Sequence, residues 1–291
     1  GNTANDVFVR NRTSGVTELV SVATGGTAAG SSISDLPTMS ADGRYVAFRS
    51  NATNLVGTDS NGVFDIFLRD RTGGTTSLVS VNTGGTDSGN AASDGWPLIS
   101  QDGRYIFFAS NATDLVATDT NGASDVFMRD RVAGTTALVS VNSAGNDSGN
   151  NGSILHCISP DGRYVVFSSA ATDLTADTDG NAANDVYLRD TVAGTTTLIS
   201  VNQAGTAAAN NSSEGHFRCV TPDGRYVVFH SSATDLTADT DGNSTLDVFR
   251  RDVTTGTTVL VSFNAAGTAT GDAWSRKGFV SIDGRFVAYE S

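Results

Sequence analysis

The chain has 291 residues, of which 31 are acidic and 18 are Lys or Arg, for a formal net charge of −13. This acidity disfavours nucleic acid and anionic membranes as partners, and no run approaches the 18 or so apolar residues of a membrane-spanning helix. The acidic residues are almost all Asp, because only Glu18, Glu214 and Glu290 are Glu. Asp-rich sequences favour tight turns and cation-binding loops.

Two strand-like segments open the chain, Val7 to Arg10 and Thr17 to Ala23. One sequence pattern then recurs five times around an Asp-Gly-Arg triplet, with spacings of 60, 59, 62 and 60 residues. Self-similarity at a fixed period is the signature of a repeat architecture. The triplets begin at Asp42, Asp102, Asp161, Asp223 and Asp283.

Each repeat predicts four strands. In the second copy the first strand is WPLIS at 96–100, and an Asp-Gly turn of the hairpin type follows it. In the third copy RYVVFSS at 163–169 is apolar on both faces, DVYLRD at 185–190 is rich in β-formers, and TTTLISV at 195–201 comes last. A four-stranded antiparallel sheet repeated at this length predicts a β-propeller blade.

The SPDGRYVVF stretch followed by DVYLRD resembles the TolB-like, WD-type "PD" repeat of β-propellers. The resemblance covers all five copies, and it implies an all-β fold of five blades with four antiparallel strands each. It says little about function, because such propellers include binding scaffolds and non-catalytic domains of peptidases. The loop between strands two and three departs from the family, because here it is long and rich in Asp and Asn.

We expect one propeller domain over 1–291, with blades at about 34–83, 94–143, 153–203 and 214–264 and a fifth from 273–291 plus 1–24. The first segments would supply strands three and four of that fifth blade, and 278–281 with 285–291 would supply strands one and two. N-terminal strands pairing with C-terminal strands would then close the ring and remove its open edge. The alternative is a piece cut from a longer array.

The long loops are all expected on one rim, where binding usually occurs. Two of them, DTDGNAAND and DTDGNSTLD, place oxygen side chains at positions 1, 3, 5 and 9, as structural calcium loops do. The alternative is Asx turns without metal. The N-terminal blade retains only Gly1, Asn2 and Asp6. The candidate calcium ligands are Asp177, Asp179, Asn181, Asp185, Asp239, Asp241, Asn243 and Asp247, with weaker candidates at Asp59, Asn61, Asp65, Asp119, Asn121 and Asp125.

Positions that vary between the repeats cluster on the first strand and at the end of the second. They hold all three His, the single Lys and both Trp, which suits a ligand pocket, although crowding of inner strands would explain the same variation as packing. The candidate ligand-binding residues are Trp96, His156, His216, Phe217, His230, Trp274 and Lys277. Cys157 and Cys219 occupy equivalent positions, and we expect two buried thiols there rather than a disulfide.

These features predict an exported bacterial propeller, extracellular, on the cell surface or periplasmic, that binds a glycan or protein partner through its long-loop rim. We expect it to be non-catalytic and stabilised by calcium. One alternative is a glycoside-active enzyme with Glu214 and Glu290 as the carboxylates of a central pocket. Another is a structural module of a surface assembly.

Overall fold

The computed structural model describes residues 3–239, 241, 243 and 245–291, and these contain twenty β-strands. None of them belongs to a helix that could cross a membrane. The contacts divide the chain into two compact units, Gly1–Leu138 and Val139–Ser291. The single domain over 1–291 and the closure of the ring stay predictions.

The first unit holds one two-stranded and two four-stranded antiparallel sheets. In each four-stranded sheet the strands pair in chain order, as in a propeller blade. The pair is β1 (Phe8–Arg10) with β2 (Thr17–Leu19); the first blade is β3 (Ser34–Met39), β4 (Tyr45–Ser50), β5 (Asp65–Asp70) and β6 (Thr75–Leu78); the second is β7 (Leu98–Ile99), β8 (Tyr105–Ser110), β9 (Asp125–Asp130) and β10 (Thr135–Leu138).

The second unit repeats this organisation, with two four-stranded antiparallel sheets and a final pair of strands. The all-β fold of four-stranded blades predicted from the repeats is therefore confirmed. The third blade is β11 (Ser153–Ile158), β12 (Tyr164–Ser169), β13 (Asp185–Asp190) and β14 (Thr195–Leu198); the fourth is β15 (Ser213–Glu214), β16 (Tyr226–Ser231), β17 (Asp247–Asp252) and β18 (Thr257–Leu260); the pair is β19 (Arg276–Val280) with β20 (Val287–Glu290).

The second and third strands of each blade form its core. Val165, Val166 and Phe167 of β12 are all fully buried, which is why this strand reads as a continuous apolar run. Phe167 stacks on Tyr187 of β13 with ring centroids 5.6 Å apart. The same stacked pair recurs as Phe48–Phe67, Phe108–Phe127 and Phe229–Phe249.

The Asp-Gly-Arg triplet makes a self-contained turn. In the third blade the Ser159 hydroxyl donates to Asp161, which also accepts the backbone N–H of Arg163. Arg163 then forms a two-pronged ion pair with Asp190 at the end of β13, with its Nη2 2.7 Å from the carboxylate. The triplet thus fixes the hairpin and ties the second strand to the third.

The glycine of the triplet also joins neighbouring blades. Gly224 has φ of +72°, and a Cβ there would lie 2.6 Å from the ring of Tyr164 in the preceding blade. Gly103 meets Tyr45 in the same way in the first unit. Glycine is therefore required at this position for two reasons. It adopts the left-handed backbone without strain, and it allows the close approach of a tyrosine ring.

Cys157 and Cys219 form a disulfide between the third and fourth blades, with Cα atoms 6.1 Å apart. The expectation of two free thiols is therefore wrong. It assumed that the two inner strands are equivalent, whereas the fourth blade has two more residues than the third between the first-strand serine and the triplet: 10 from Ser213 to Asp223 against 8 from Ser153 to Asp161. The extra residues end β15 early and bring Cys219 against its partner.

Candidate functional site

The inner strand of the fourth blade is interrupted where the repeats vary most. β15 ends at Glu214, and a turn covers the following residues until Val220 bridges to Val227. Arg218 in this turn and Lys277 in β19 both have φ of +56°, and the pairing of β19 with β20 shifts register between Arg276 and Phe279. Left-handed non-glycine residues are strained and often occur at functional sites.

These irregular stretches hold three aromatic rings at the surface. Phe217, Trp274 and Phe279 are each about 40% exposed (41%, 42% and 38%). The imidazole of His216 packs edge-on against Phe217 and Phe279, at centroid distances of 5.0 and 5.3 Å. Exposed aromatic rings that lie close together are typical of binding sites.

Charged groups lie next to the rings. The Lys277 ammonium is 2.9 Å from Glu290 Oε2, and Arg276 Nε is 3.6 Å from the same oxygen. The Arg276 guanidinium also lies over the Trp274 ring, 4.3 Å from its centroid. We call Phe217, Trp274, Arg276, Lys277 and Phe279 the aromatic patch.

The three histidines lie close enough for their charges to interact. Burial, with His230 and His216 nearby, lowers the pKa of His156 to about 4, and its Nε2 is 2.8 Å from the Ser168 hydroxyl. Burial also lowers the pKa of His230, although Glu214 is 3.9 Å away and opposes the shift. The pKa of His216 is lowered by burial and by Lys277. All three are therefore neutral imidazoles at pH 7.

Glu214 and Glu290 are accounted for by cross-strand pairing. Glu214 lies in register opposite the neutral His230, and Glu290 lies opposite Arg276, with which it forms an ion pair. In the first unit Asp35 and Arg49 pair in the corresponding position at 2.9 Å. Lys277 lowers the pKa of Glu290, the opposite of what a general acid needs. The contacts thus give no support to the glycosidase alternative.

The second unit therefore holds six of the seven predicted ligand-binding residues: His156, His216, Phe217, His230, Trp274 and Lys277. Trp96 lies in the first unit and is about half exposed. Sequence reasoning missed Arg276 and Phe279. Phe279 shares its position in the repeat with Cys157 and Cys219, so counting back from the triplet could have found it.

The acidic loops share one motif once they are aligned from the third strand backwards. Asp59-x-Asn61-x₃-Asp65 recurs as Asp119/Asn121/Asp125, Asp179/Asn181/Asp185 and Asp241/Asn243/Asp247. The middle Asn makes an Asx turn: Asn61 Oδ1 accepts the N–H of Val63, and its amide donates to the carbonyl of Gly89. Asn181 and Asn243 do the same. These three Asn residues therefore form Asx turns, while the aspartates remain to be explained.

The last aspartate of the motif is fully buried. Asp65 Oδ1 accepts from the Ser80 hydroxyl at 2.6 Å, and Asp185 bonds Ser200 in the same way. Burial raises the pKa of each of these two carboxyls to about 7, against the opposing effect of the serine. Asp247 and Ser262 repeat the bond, and so do Asp6 and Ser21.

The other predicted metal ligands are less enclosed. Asp177 and Asp239 are exposed and lie outside the shared motif. Gly1 and Asn2 of the N-terminal motif lie outside the described residues, as do Thr240, Gly242 and Ser244 of the loop that contains Asp241. Among the described residues no cluster of three or more His, Cys, Asp or Glu is arranged to hold a metal ion. Each loop therefore offers at most a pair of carboxylates.

No protein-family profile matches the sequence, and the curated proteins contain no significant match. Solved structures do match. A TolB-type protein from Agrobacterium tumefaciens is similar over 99% of this chain and 78% of its own, with 18% identity and a TM-score of 0.52. The β-propeller domain of the Trilobed protease from Pyrococcus furiosus matches over 94% and 67%, with 10% identity and a TM-score of 0.50.

A prolyl endopeptidase also matches, with 15% identity and a TM-score of 0.56 over 94% of this chain, but only 34% of the endopeptidase is covered. The chain is therefore similar in structure to TolB and to other β-propeller domains over nearly its whole length. At these identities the similarity shows the fold alone.

Proposed function

We propose that the chain is an exported, non-catalytic binding module that holds a glycan on the aromatic patch. The observation that carries the proposal is the set of three partly exposed rings, Phe217, Trp274 and Phe279, beside the charged side chains of Arg276 and Lys277. Aromatic faces stack on the apolar faces of sugars, and the charged groups can donate hydrogen bonds to hydroxyl or carboxylate oxygens.

Export is supported by the Cys157–Cys219 disulfide, because such bonds persist in oxidising compartments outside the cytoplasm. Structural calcium in the acidic loops would fit the same compartment. Low Lys content and many Asp, Asn and Thr residues agree with an exposed surface protein. A role as a binding module accords with the fold, because binding residues are commonly placed on loops that a rigid scaffold holds in position.

The test is a glycan array followed by titration calorimetry of any glycan that binds. Trp274→Ala and Phe217→Ala should each weaken binding about tenfold or more, as central aromatic anchors do. Val192→Ala is a matched control, because Val192 is an apolar side chain 76% exposed in the turn after β13, away from the patch in sequence. It should leave the affinity unchanged.

A blank array would overturn the glycan as the ligand class and favour a protein partner, which capture on immobilised wild type but not on Trp274→Ala would then identify. A glycan that binds all three variants equally would overturn the patch as the site. Binding lost equally in the Val192 control would indicate that general surface change, not the patch, is responsible.

A further inference from the structure

Asp59 and Asp65 in the first unit are buried carboxylates without a counter-charge. Asp59 is 6% exposed and Asp65 is 0% exposed. Both oxygens of Asp59 and Oδ2 of Asp65 are shielded from solvent and lie outside hydrogen-bond geometry with any protein donor. The polar groups that act on the two carboxylates are Asn61, Ser80, Ser88 and Asp87, and none of these is a cation.

Such an arrangement is unfavourable for the protein alone. Burying a carboxylate without a partner costs several kcal/mol, and here the charges of Asp59 and Asp65 repel each other, with Asp87 adding to the repulsion. The hydrogen bond from Ser80 does not offset the desolvation of Asp65, because burial remains the largest influence on its charge. A bound cation would remove both penalties at once.

The local structure holds these oxygens in place. Ser80 fixes Oδ1 of Asp65 and in turn accepts the backbone N–H of Ile66, so the orientation of the carboxylate is set by the sheet. Asn61 fixes the turn between the two aspartates. Three carboxylate oxygens, both of Asp59 and Oδ2 of Asp65, are therefore unpaired within seven residues of chain. Short cation-binding loops likewise place several oxygen ligands close together in the sequence.

The second unit repeats the arrangement independently. Asp185 is fully buried and its Oδ1 is bonded to Ser200, while its Oδ2 is unpaired. Asp179 Oδ1 accepts backbone N–H groups of the turn, and its Oδ2 is likewise shielded and unpaired. The charges of the two aspartates repel each other here too. The same shielded, unpaired oxygens therefore occur in one loop of each unit, whereas in the second loop the amide of Asn121 donates to Asp125 Oδ2.

We propose that Asp59 with Asp65, and separately Asp179 with Asp185, bind a Ca²⁺ ion. Calcium accepts six to eight oxygen ligands in flexible geometry, so water and backbone oxygens can complete a site that has two carboxylates. All four aspartates are among the ligands predicted from the sequence, Asp59 and Asp65 as the weaker candidates, but the proposed pairs leave out Asp177, Asp239 and the 239–247 loop. The sites are independent of the aromatic patch and of its proposed glycan.

The experiment measures thermal unfolding of the full chain in excess EDTA and in excess CaCl₂. Saturating calcium should raise the Tm of the wild type by about 5 °C. Asp59→Asn and Asp179→Asn should each reduce that shift, and the double variant should abolish it. In EDTA the variants should melt at or above the wild type, because each removes a buried unpaired charge. The wild type should thus have the higher Tm in CaCl₂ but not in EDTA, and this difference distinguishes a cation site from an aspartate with only a structural role.

Asp6→Asn is the matched control. Asp6 bonds Ser21 just as Asp65 bonds Ser80, but Asp6 is only half-buried and has no oxygen that is both shielded and unpaired, so the calcium response of the variant should equal that of the wild type. An identical wild-type Tm in EDTA and CaCl₂ would overturn the proposal, as would a full shift in the double variant. A shift given by MgCl₂ but not by CaCl₂ would overturn the choice of calcium.

Discussion

The third and fourth blades have nearly the same body but different inner strands. β12 pairs with β13 in the same register as β16 with β17, and the stacked rings lie 5.6 and 5.7 Å apart. In contrast, β11 runs for six residues, whereas β15 has two before the chain turns away. The shared residues therefore specify the blade, and two additional residues in the fourth blade interrupt its inner strand, which carries Cys219 of the disulfide and Phe217 of the aromatic patch.

The disulfide that joins the two inner strands should give the largest effect. Replacing both cysteines by Ser in the Cys157→Ser/Cys219→Ser variant should lower the free energy of unfolding by about 4 kcal/mol, because the bond closes a long loop in the unfolded chain. Urea unfolding with and without dithiothreitol measures this. The reductant should destabilise the wild type and leave the variant unchanged. Two thiols titrating in denatured, unreduced wild type would contradict the bond.

The shared body is tested at the glycine that meets the tyrosine of the preceding blade. Gly224→Ala should lower stability by about 3 kcal/mol, because it adds a left-handed alanine and drives a methyl group into the Tyr164 ring. Gly205→Ala is the control, since Gly205 has φ of +70° but nothing within 4 Å, and about 1 kcal/mol is expected there. Equal losses in chemical denaturation would show that the tyrosine contact contributes nothing.

The smallest expected effect is a pH dependence of stability that arises from the inner strand of the third blade. His156 of β11 corresponds to Arg218 in the fourth blade, and its pKa is about 4 in the folded chain against an ordinary value of 6.5. The unfolded state thus binds more protons between these values, so stability is complete above pH 6.5 and falls as the pH drops towards 4. The loss attributable to His156 between pH 7 and about pH 5 should be about 2 kcal/mol.

His156→Gln keeps a hydrogen-bonding group for Ser168 and should remove that part of the acid sensitivity. His216 and His230, whose charges act on His156 and whose pKa values are also lowered, would contribute to the remainder, as would ion-paired carboxylates such as Asp190, whose pKa is lowered by Arg163. Unfolding midpoints measured from pH 7 to pH 4 give the comparison. Parallel pH profiles for wild type and variant would refute the assignment to His156.

The body of the blade was predictable because its residues act locally and recur five times. The Asp-Gly-Arg turn, the buried second strand and the closing Asp each follow from neighbours in sequence. The site was harder to predict. Six of its seven candidate residues lie in the second unit, but the disulfide was missed because counting back from the triplet hides the two extra residues in the approach to Cys219. The paired aspartates were all candidate ligands in the sequence, but which of their oxygens are buried and unpaired depends on packing that the sequence pattern does not show.

Within each unit, a glycine of the triplet packs against a tyrosine ring of the preceding blade, as Gly224 does against Tyr164. This contact affects how such a chain can evolve. The same two residue types form the joint wherever it occurs within a unit, so the joint does not depend on which blades meet. A duplicated or deleted segment of one repeat would leave matching surfaces on both sides. Gene rearrangement can therefore change the number of blades in a single step, and the inserted copy is then free to diverge only at its inner strand and loops.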